Sequence, residues 1–150
     1  MHVSPRETLE LMLGHLGFSV EIHEEDRLAG RTLHIRTSEP GRLIGRNGRL
    51  LDDLQYLLNR ILSHEEDSAP RVIVDVENYR QQLVDQMLER VKAAAESVRA
   101  GGPEVVLEPM NSFERRLVHN LFKDDPDIET VSPAEASRLK RITLRRRASA

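Results

Sequence analysis

Two glycines three residues apart, Gly45 and Gly48, interrupt a helical apolar pattern in residues 41–62, GRLIGRNGRLLDDLQYLLNRIL. Ahead of them, EPGRLIG has room only for a short helical turn. From Gly48 a longer helix runs to about His64, with Leu51, Leu54, Leu58, Ile61 and Leu62 on a broad apolar face. The chain therefore turns a corner at 45–48 and must bury the helix that follows. Candidate partners for that face lie on both sides in sequence.

Upstream, Ser4-Pro5-Arg6-Glu7 carries the marks of a helix start: a serine cap, proline at the first helical position and a glutamate closing the capping box. Leu9, Met12, Leu13 and Leu16 continue at helical spacing until Gly17. FSVEIHEE alternates Phe18, Val20 and Ile22 with polar residues, and TLHIRT alternates again through Leu33 and Ile35, so the two predict a hairpin joined by LAGR. Downstream, EEDSAP reads as a loop and RVIVDVE as a strand rich in β-branched residues, with Val72 and Ile73 adjacent as in a strand covered on both faces. The first 78 residues thus run helix, strand, strand, short helix, Gly-x-x-Gly, helix, strand.

A long helix is predicted over 79–100, with Leu83, Met87, Val91, Ala94 and Val98 as its stripe and AGGP as its stop. EVVLEP is a short strand. Asn111 and Glu114 cap a further helix that carries Phe113, Leu117, Leu121 and Phe122 inward. KDDPD breaks it, and IETVS and RLKRITLRR close the chain as strands. On the last of these Ile142 and Leu144 share one face, and Arg141, Thr143 and Arg145 the other. With the boundary near Asn78, the 79–100 helix joins the C-terminal unit, whose roughly 50 other residues would bury a poor core alone. The expected architecture is α+β in two small domains, 1–78 and 79–150.

The formal charge of −3 conceals a segregated distribution. Acids gather at 24–26, 65–67 and 124–129. No acid occurs between Pro40 and Leu51, where Arg42, Arg46 and Arg49 lie, and six of the ten residues in RLKRITLRRR, 138–147, are Arg or Lys. Two local basic stretches in a mildly acidic chain point to a localised anionic partner. There is no cysteine, which removes disulfides and thiolate zinc sites. No apolar run approaches the roughly 20 residues that span a bilayer, and the N-terminus lacks a secretory leader pattern. The expectation is a cytoplasmic protein without membrane insertion.

At the corner, glycines let the backbone approach a ligand closely, and the following helix offers free N–H groups and a positive dipole end. The three arginines add attraction for phosphate. A Walker loop would need Gly-x-x-x-x-Gly-Lys-Ser/Thr, and neither that nor a dinucleotide fingerprint is present. A sugar–phosphate backbone is the ligand that fits. LIGRNGRLLDDLQYLLN resembles the Ile-Gly-x-x-Gly core of a KH domain, and the element order resembles the type II topology. The resemblance implies a three-stranded sheet with helices on one face and a clamp on about four single-stranded nucleotides. It assigns the backbone contact to the loop Gly45, Arg46, Asn47 and Gly48 and places Ile44 in the groove for bases; Arg42, Arg46 and Arg49 then lie on the phosphates. With five aromatic residues in the chain, modules that depend on aromatic stacking fit less well.

A second constellation lies in NSFERRLVHNLF. Arg115 and His119 are four apart, on one helical face and away from the apolar one. An arginine fork binds phosphate, and a histidine donates a hydrogen bond or stacks on a base. EPMNSFERRLVH, followed by a proline-containing break and an arginine-rich terminal strand, resembles the R-3-H domain, a small three-stranded sheet with two helices associated with single-stranded nucleic acids. A type II KH domain directly followed by R-3-H resembles the Jag (KhpB-type, SpoIIIJ-associated) bacterial RNA-binding proteins, over residues 1–147. Members usually carry a further N-terminal domain and linker, whereas this sequence starts at the KH helix.

The resemblance implies a non-catalytic binder of single-stranded RNA, or of single-stranded DNA, with two grips: the 45–48 loop, and Arg115 and His119 assisted by Arg141 and Arg145. It implies no metal and no cofactor, a bacterial post-transcriptional role linked to cell division or envelope growth, and a small KH-only protein as a partner. Two other readings are open to test. A metal-dependent nuclease would use His119 with Asp124, Asp125, Asp127 and Glu129, although acids around Pro126 fit a solvated turn. A protein-interaction scaffold would use the stripe of the 79–100 helix.

Overall fold

A computed structural model describes residues 3–65 and 71–148. The chain divides into two units, Met1–Gln81 and Gln82–Ala150. The loop expected at 65–70 lies, apart from Glu65, outside the described residues.

In the first unit, α1 (Pro5–His15) begins at the predicted capping box: Ser4 accepts from the Glu7 amide, and Glu7 from the Ser4 amide. It ends in a Schellman turn. Gly17 has φ 88°, the Phe18 N–H donates to Leu13 O and the Gly17 N–H to Gly14 O. That turn occupies residues the alternation had assigned to a strand. The first strand, β1 (Glu21–Arg27), accordingly starts three residues later than FSVEIHEE suggests, while Phe18 and Val20 pack against the core as coil. β1 pairs antiparallel with β2 (Gly30–Arg36), and β2 pairs parallel with β3 (Ile73–Val76), giving the order β1-β2-β3. A parallel neighbour requires a crossover. Here it comprises α2 (Pro40–Ile44), the corner at 45–48 and α3 (Arg49–Glu65).

Leu9 and Leu13 of α1 and Leu51, Leu54, Leu58 and Leu62 of α3 bury against Ile22, Leu33, Ile35, Val74 and Val76 of the sheet. Ile61 stays 38% exposed, because four leucines at i+3 and i+4 spacing already fill that face. Ile73 is half-buried rather than enclosed like Val72. The polar face of α3 closes the β3 edge. Asn59 accepts from the Val72 amide and donates to the Val72 carbonyl, and Gln55 accepts from the Val74 amide at 2.9 Å. Two side-chain amides four residues apart thus satisfy backbone groups that would otherwise be an open edge.

In the second unit, α4 (Tyr79–Arg99), which starts in the first, supplies Met87, Val91, Ala95 and Val98 to the core. The stripe expected through Leu83 and Ala94 is therefore displaced: Leu83 is 47% exposed and Ala94 half-buried. β4 (Val105–Met110) and β5 (Ile128–Val131) flank a central β6 (Lys140–Arg146), antiparallel to both. A bulge between Val106 and Pro109 lets proline sit on the edge strand. α5 (Ser112–Phe122) has the predicted Asn111–Glu114 capping box. It buries Val118 and Phe122, whereas Leu121 is 39% exposed and Phe113 and Leu117 are half-buried. The fold is α+β, two three-stranded sheets each packed against helices. Among the described residues no helix is long and apolar enough to cross a membrane.

Candidate nucleic-acid interface

The corner after α2 is fixed by three residues in the left-handed region. Gly45 has φ 72° and ψ −174°, a region essentially reserved for glycine. Asn47, at φ 56°, is of the residue type that tolerates this best after glycine, and Gly48 follows at φ 77°. Both glycines also answer to a constraint inside the protein, beside the ligand approach expected from sequence. A Cβ on Gly45 would stand 2.8 Å from Leu50 Cβ and 3.1 Å from Leu50 N, inside the first turn of α3. A Cβ on Gly48 would meet the Tyr79 ring at 3.0 Å. Positive φ and close packing thus both favour glycine at the two positions.

Tyr79 was not singled out from sequence. It is held there by a polar hub. Asp75, fully buried, accepts from the Val76 and Arg80 amides and from Arg27 Nη1 at 2.8 Å. Removing one partner of such a buried pair costs about 3–5 kcal/mol. Arg27 Nη2 also donates to Asn78. Glu77 and Asn78 both take positive φ, and the turn they form delivers Tyr79 beneath Gly48. The signal in sequence was an acid in a strand of valines, which burial alone would not allow.

The arginines of the corner differ in commitment. Arg46 and Arg49 are exposed and make no hydrogen bond or ion pair among the described residues. Arg42 lies over the Phe18 ring, 5.0 Å from its centroid, and donates to Glu39 at 3.2 Å. A pair this exposed contributes under about 1 kcal/mol, so Arg42 is parked rather than locked. Asn47 is exposed, and Ile44 is half-buried against the core beside the loop.

On α5 the arrangement is the reverse. Arg115 is half-buried, and its Nη1 donates to Met110 O at 2.6 Å. His119 is half-buried with both ring nitrogens engaged, Nδ1 with Thr130 Oγ1 and Nε2 with Ser132 Oγ at 2.9 Å. Burial, and then the Arg115 charge, lower its pKa and so favour the neutral ring. Their spacing lets both side chains project outward; the structure ties Arg115 to Met110 of β4, and His119 to Thr130 of β5 and to Ser132 just beyond it. The two hydroxyls were missed from sequence, where the hint was their period-2 spacing from Ile128 in IETVS.

Arg141 and Arg145 are not brought to the same place. Ile142 and Leu144 of β6 are buried in the core that α5 packs on, so alternation sends Arg141 and Arg145 to the opposite face of the sheet. Arg145 is paired there with Glu129, directly across the ladder, and Arg141 reaches Leu107 O at 3.4 Å. The acidic group after α5 is also accounted for. Asp125 is ion-paired with Arg99, and its Oδ1 accepts from the Asp127 and Ile128 amides at 2.8 and 3.1 Å. The Arg99 guanidinium and those amides bring its pKa down to about 2. This is the chemistry of a carboxylate holding a turn together.

Comparison with known proteins gives a domain match for each half of the chain. Residues 7–76 match the model for the KhpA/KhpB KH domain, and residues 80–142 match the R-3-H domain. The chain is 31% identical over 131 residues to a protein of Clostridium symbiosum named RNA-binding protein KhpB, covering 86% of this chain and 59% of that one. It is 35% identical over 101 residues to the protein of that name from Lactiplantibacillus plantarum, covering 67% of this chain and 31% of the other. With the Bacillus subtilis protein of that name it is 30% identical over 104 residues, 68% of this chain and 50% of the other. The chain thus spans about three fifths or less of the length of these relatives. With a KH domain followed by an R-3-H domain, it belongs to the KhpB-type family.

Proposed function

We propose that the chain binds single-stranded RNA without catalysing a reaction on it, using two grips. The observation that carries this is the Gly45–Gly48 corner, with Arg46, Asn47 and Arg49 exposed around it and both arginines unpaired among the described residues. Free guanidinium groups on a rigid, Cβ-poor turn suit a phosphate backbone. Ile44 and its aliphatic neighbours offer an apolar bed for bases. The KH domain, residues 1–78, makes this grip, with Arg42 released from Glu39 to join it. The R-3-H domain, residues 79–150, makes the second through Arg115 and His119. Arg141 and Arg145, on the other face of that sheet, contribute general attraction rather than the same contact. Covalent linkage of two weak sites raises their joint affinity.

The names of the relatives support RNA as the ligand. The same kinship supports a bacterial cytoplasmic post-transcriptional regulator linked to cell division or envelope growth, with a small KH-only protein as partner. The test is binding of a labelled single-stranded oligoribonucleotide, at several salt concentrations, by the unsubstituted chain and by the double variant Arg46→Asp, Asn47→Asp. The variant is expected to bind at least about tenfold more weakly and with a shallower salt dependence. Its melting temperature should hold, since both side chains are exposed. Unchanged binding by a folded variant would remove the corner from the interface.

A further inference from the structure

His119 is the named member of the Arg-x-x-x-His pair, yet its ring has little left to offer a ligand directly. Nδ1 is hydrogen-bonded to Thr130 Oγ1 and Nε2 to Ser132 Oγ at 2.9 Å. A neutral imidazole has one N–H and one lone pair. One hydroxyl therefore donates to the ring and the other accepts from it. The hydroxyl that accepts keeps its own O–H for a further partner, whereas the one that donates keeps only lone pairs.

Position decides between them. Thr130 pairs with the buried Leu144 inside the ladder, on the side of the sheet where α5 packs. Both residues are half-buried, but Ser132 lies two residues further on, past the last strand residue Val131 and outside the ladder. Arg115, one turn before His119, commits Nη1 to Met110 O, while its Nε and Nη2 have no partner among the described residues.

We propose that Ser132 is the residue of this face that donates a hydrogen bond to a nucleic-acid phosphate oxygen, with His119 and Thr130 as positioning residues behind it. The order is Thr130 O–H to Nδ1, Nε2–H to Ser132 Oγ, and Ser132 O–H to phosphate. Each link polarises the next, and the free nitrogens of Arg115 meet the same anion. The inference rests on the RNA-binding reading and names the contact atom of its second grip.

The test uses the full chain with an oligoribonucleotide of mixed sequence. Ser132→Ala is expected to weaken binding about tenfold, the scale of a hydrogen bond to a charged group. The slope of log affinity against log salt should stay unchanged, because no cation is lost. Ser132→Thr, which keeps the hydroxyl, should bind as the unsubstituted chain does. Nitrogen-15 spectra of the His119 ring, assigned with His119→Gln, should show the Nε2-protonated tautomer in free and bound protein.

Three results would each overturn the inference: Ser132→Ala binding at full strength, Ser132→Ala and Ser132→Thr weakened alike, or an Nδ1-protonated ring. If the unsubstituted chain binds no RNA, the proposed function falls together with this inference. If it binds and Ser132→Ala is without effect, only this inference falls.

Discussion

At the Gly45–Gly48 corner the backbone is fixed and the cations are loose; on the α5 face the backbone is ordinary helix and the polar side chains are tied. Gly45, Asn47 and Gly48 lock the corner in left-handed conformations over Leu50 and Tyr79, and Arg46 and Arg49 extend from it without partners among the described residues. Arg115 and His119 instead stand on a regular turn of α5 and are held by Met110, Thr130 and Ser132. The first arrangement supplies shape from the main chain and charge from exposed, unpaired side chains, which suits a backbone of any sequence. The second fixes donors in advance, which lowers the entropy lost on binding.

The fixed backbone of the corner is most directly disturbed at Gly45. Gly45→Ala would place a Cβ 2.8 Å from Leu50 Cβ in a conformation almost closed to alanine. It is expected to destabilise the first unit by about 3 kcal/mol or more, lowering its melting temperature by roughly 15 °C. Thermal unfolding combined with amide exchange at Val74 and Val76 would report it. A variant of full stability that nevertheless fails to bind RNA would mean that Gly45 serves ligand approach, and that the packing account of the corner is wrong.

The order of elements, both capping boxes and the inward faces of β2 and β6 were legible in sequence, because each follows from local periodicity or a short capping pattern. Boundaries failed where a local motif competed with alternation, as at Gly17–Phe18, where the Schellman turn delays β1. The glycines of the corner were visible, but their packing constraint was not, since Tyr79 is brought to Gly48 only after β3, by the turn at 77–78 and the Asp75 hub. On the second face the helical spacing of Arg115 and His119 was plain. The ties of His119 to Thr130 and Ser132 depend on the packing of α5 over β5, which no spacing rule encodes. Nor could the basic run at 138–147 show that Arg145 stands opposite Glu129.

A smaller effect separates a loose cation from a tied one. Arg46→Gln is expected to weaken RNA binding about fivefold and to lower the salt slope by about 1, as for one lost phosphate contact. Arg145→Gln should weaken it by less than about twofold, because its charge is already opposed by Glu129. Parallel salt titrations of the two variants provide the check. A larger loss for Arg145→Gln would place the outer face of the second sheet, rather than the corner, at the centre of the interface.

The smallest effect concerns the charge state of the tied histidine. Burial and the Arg115 charge lower the His119 pKa in the folded protein, while in the unfolded chain it titrates near 6.5. Below about pH 6.5 the unfolded state therefore takes up the proton more readily. His119 contributes stability that is complete above that pH and is lost as pH falls through the depressed folded value. The second unit should unfold more easily at pH 5.5 than at pH 7.5, and His119→Gln should reduce that difference. Over the same range RNA affinity should not gain a histidine-dependent rise, since the ring acts neutral, between two hydroxyls. A steep gain in affinity on acidification that disappears in His119→Gln would show the imidazole working as a cation. The α5 face would then resemble the corner after all, with a free charge in place of a prearranged donor.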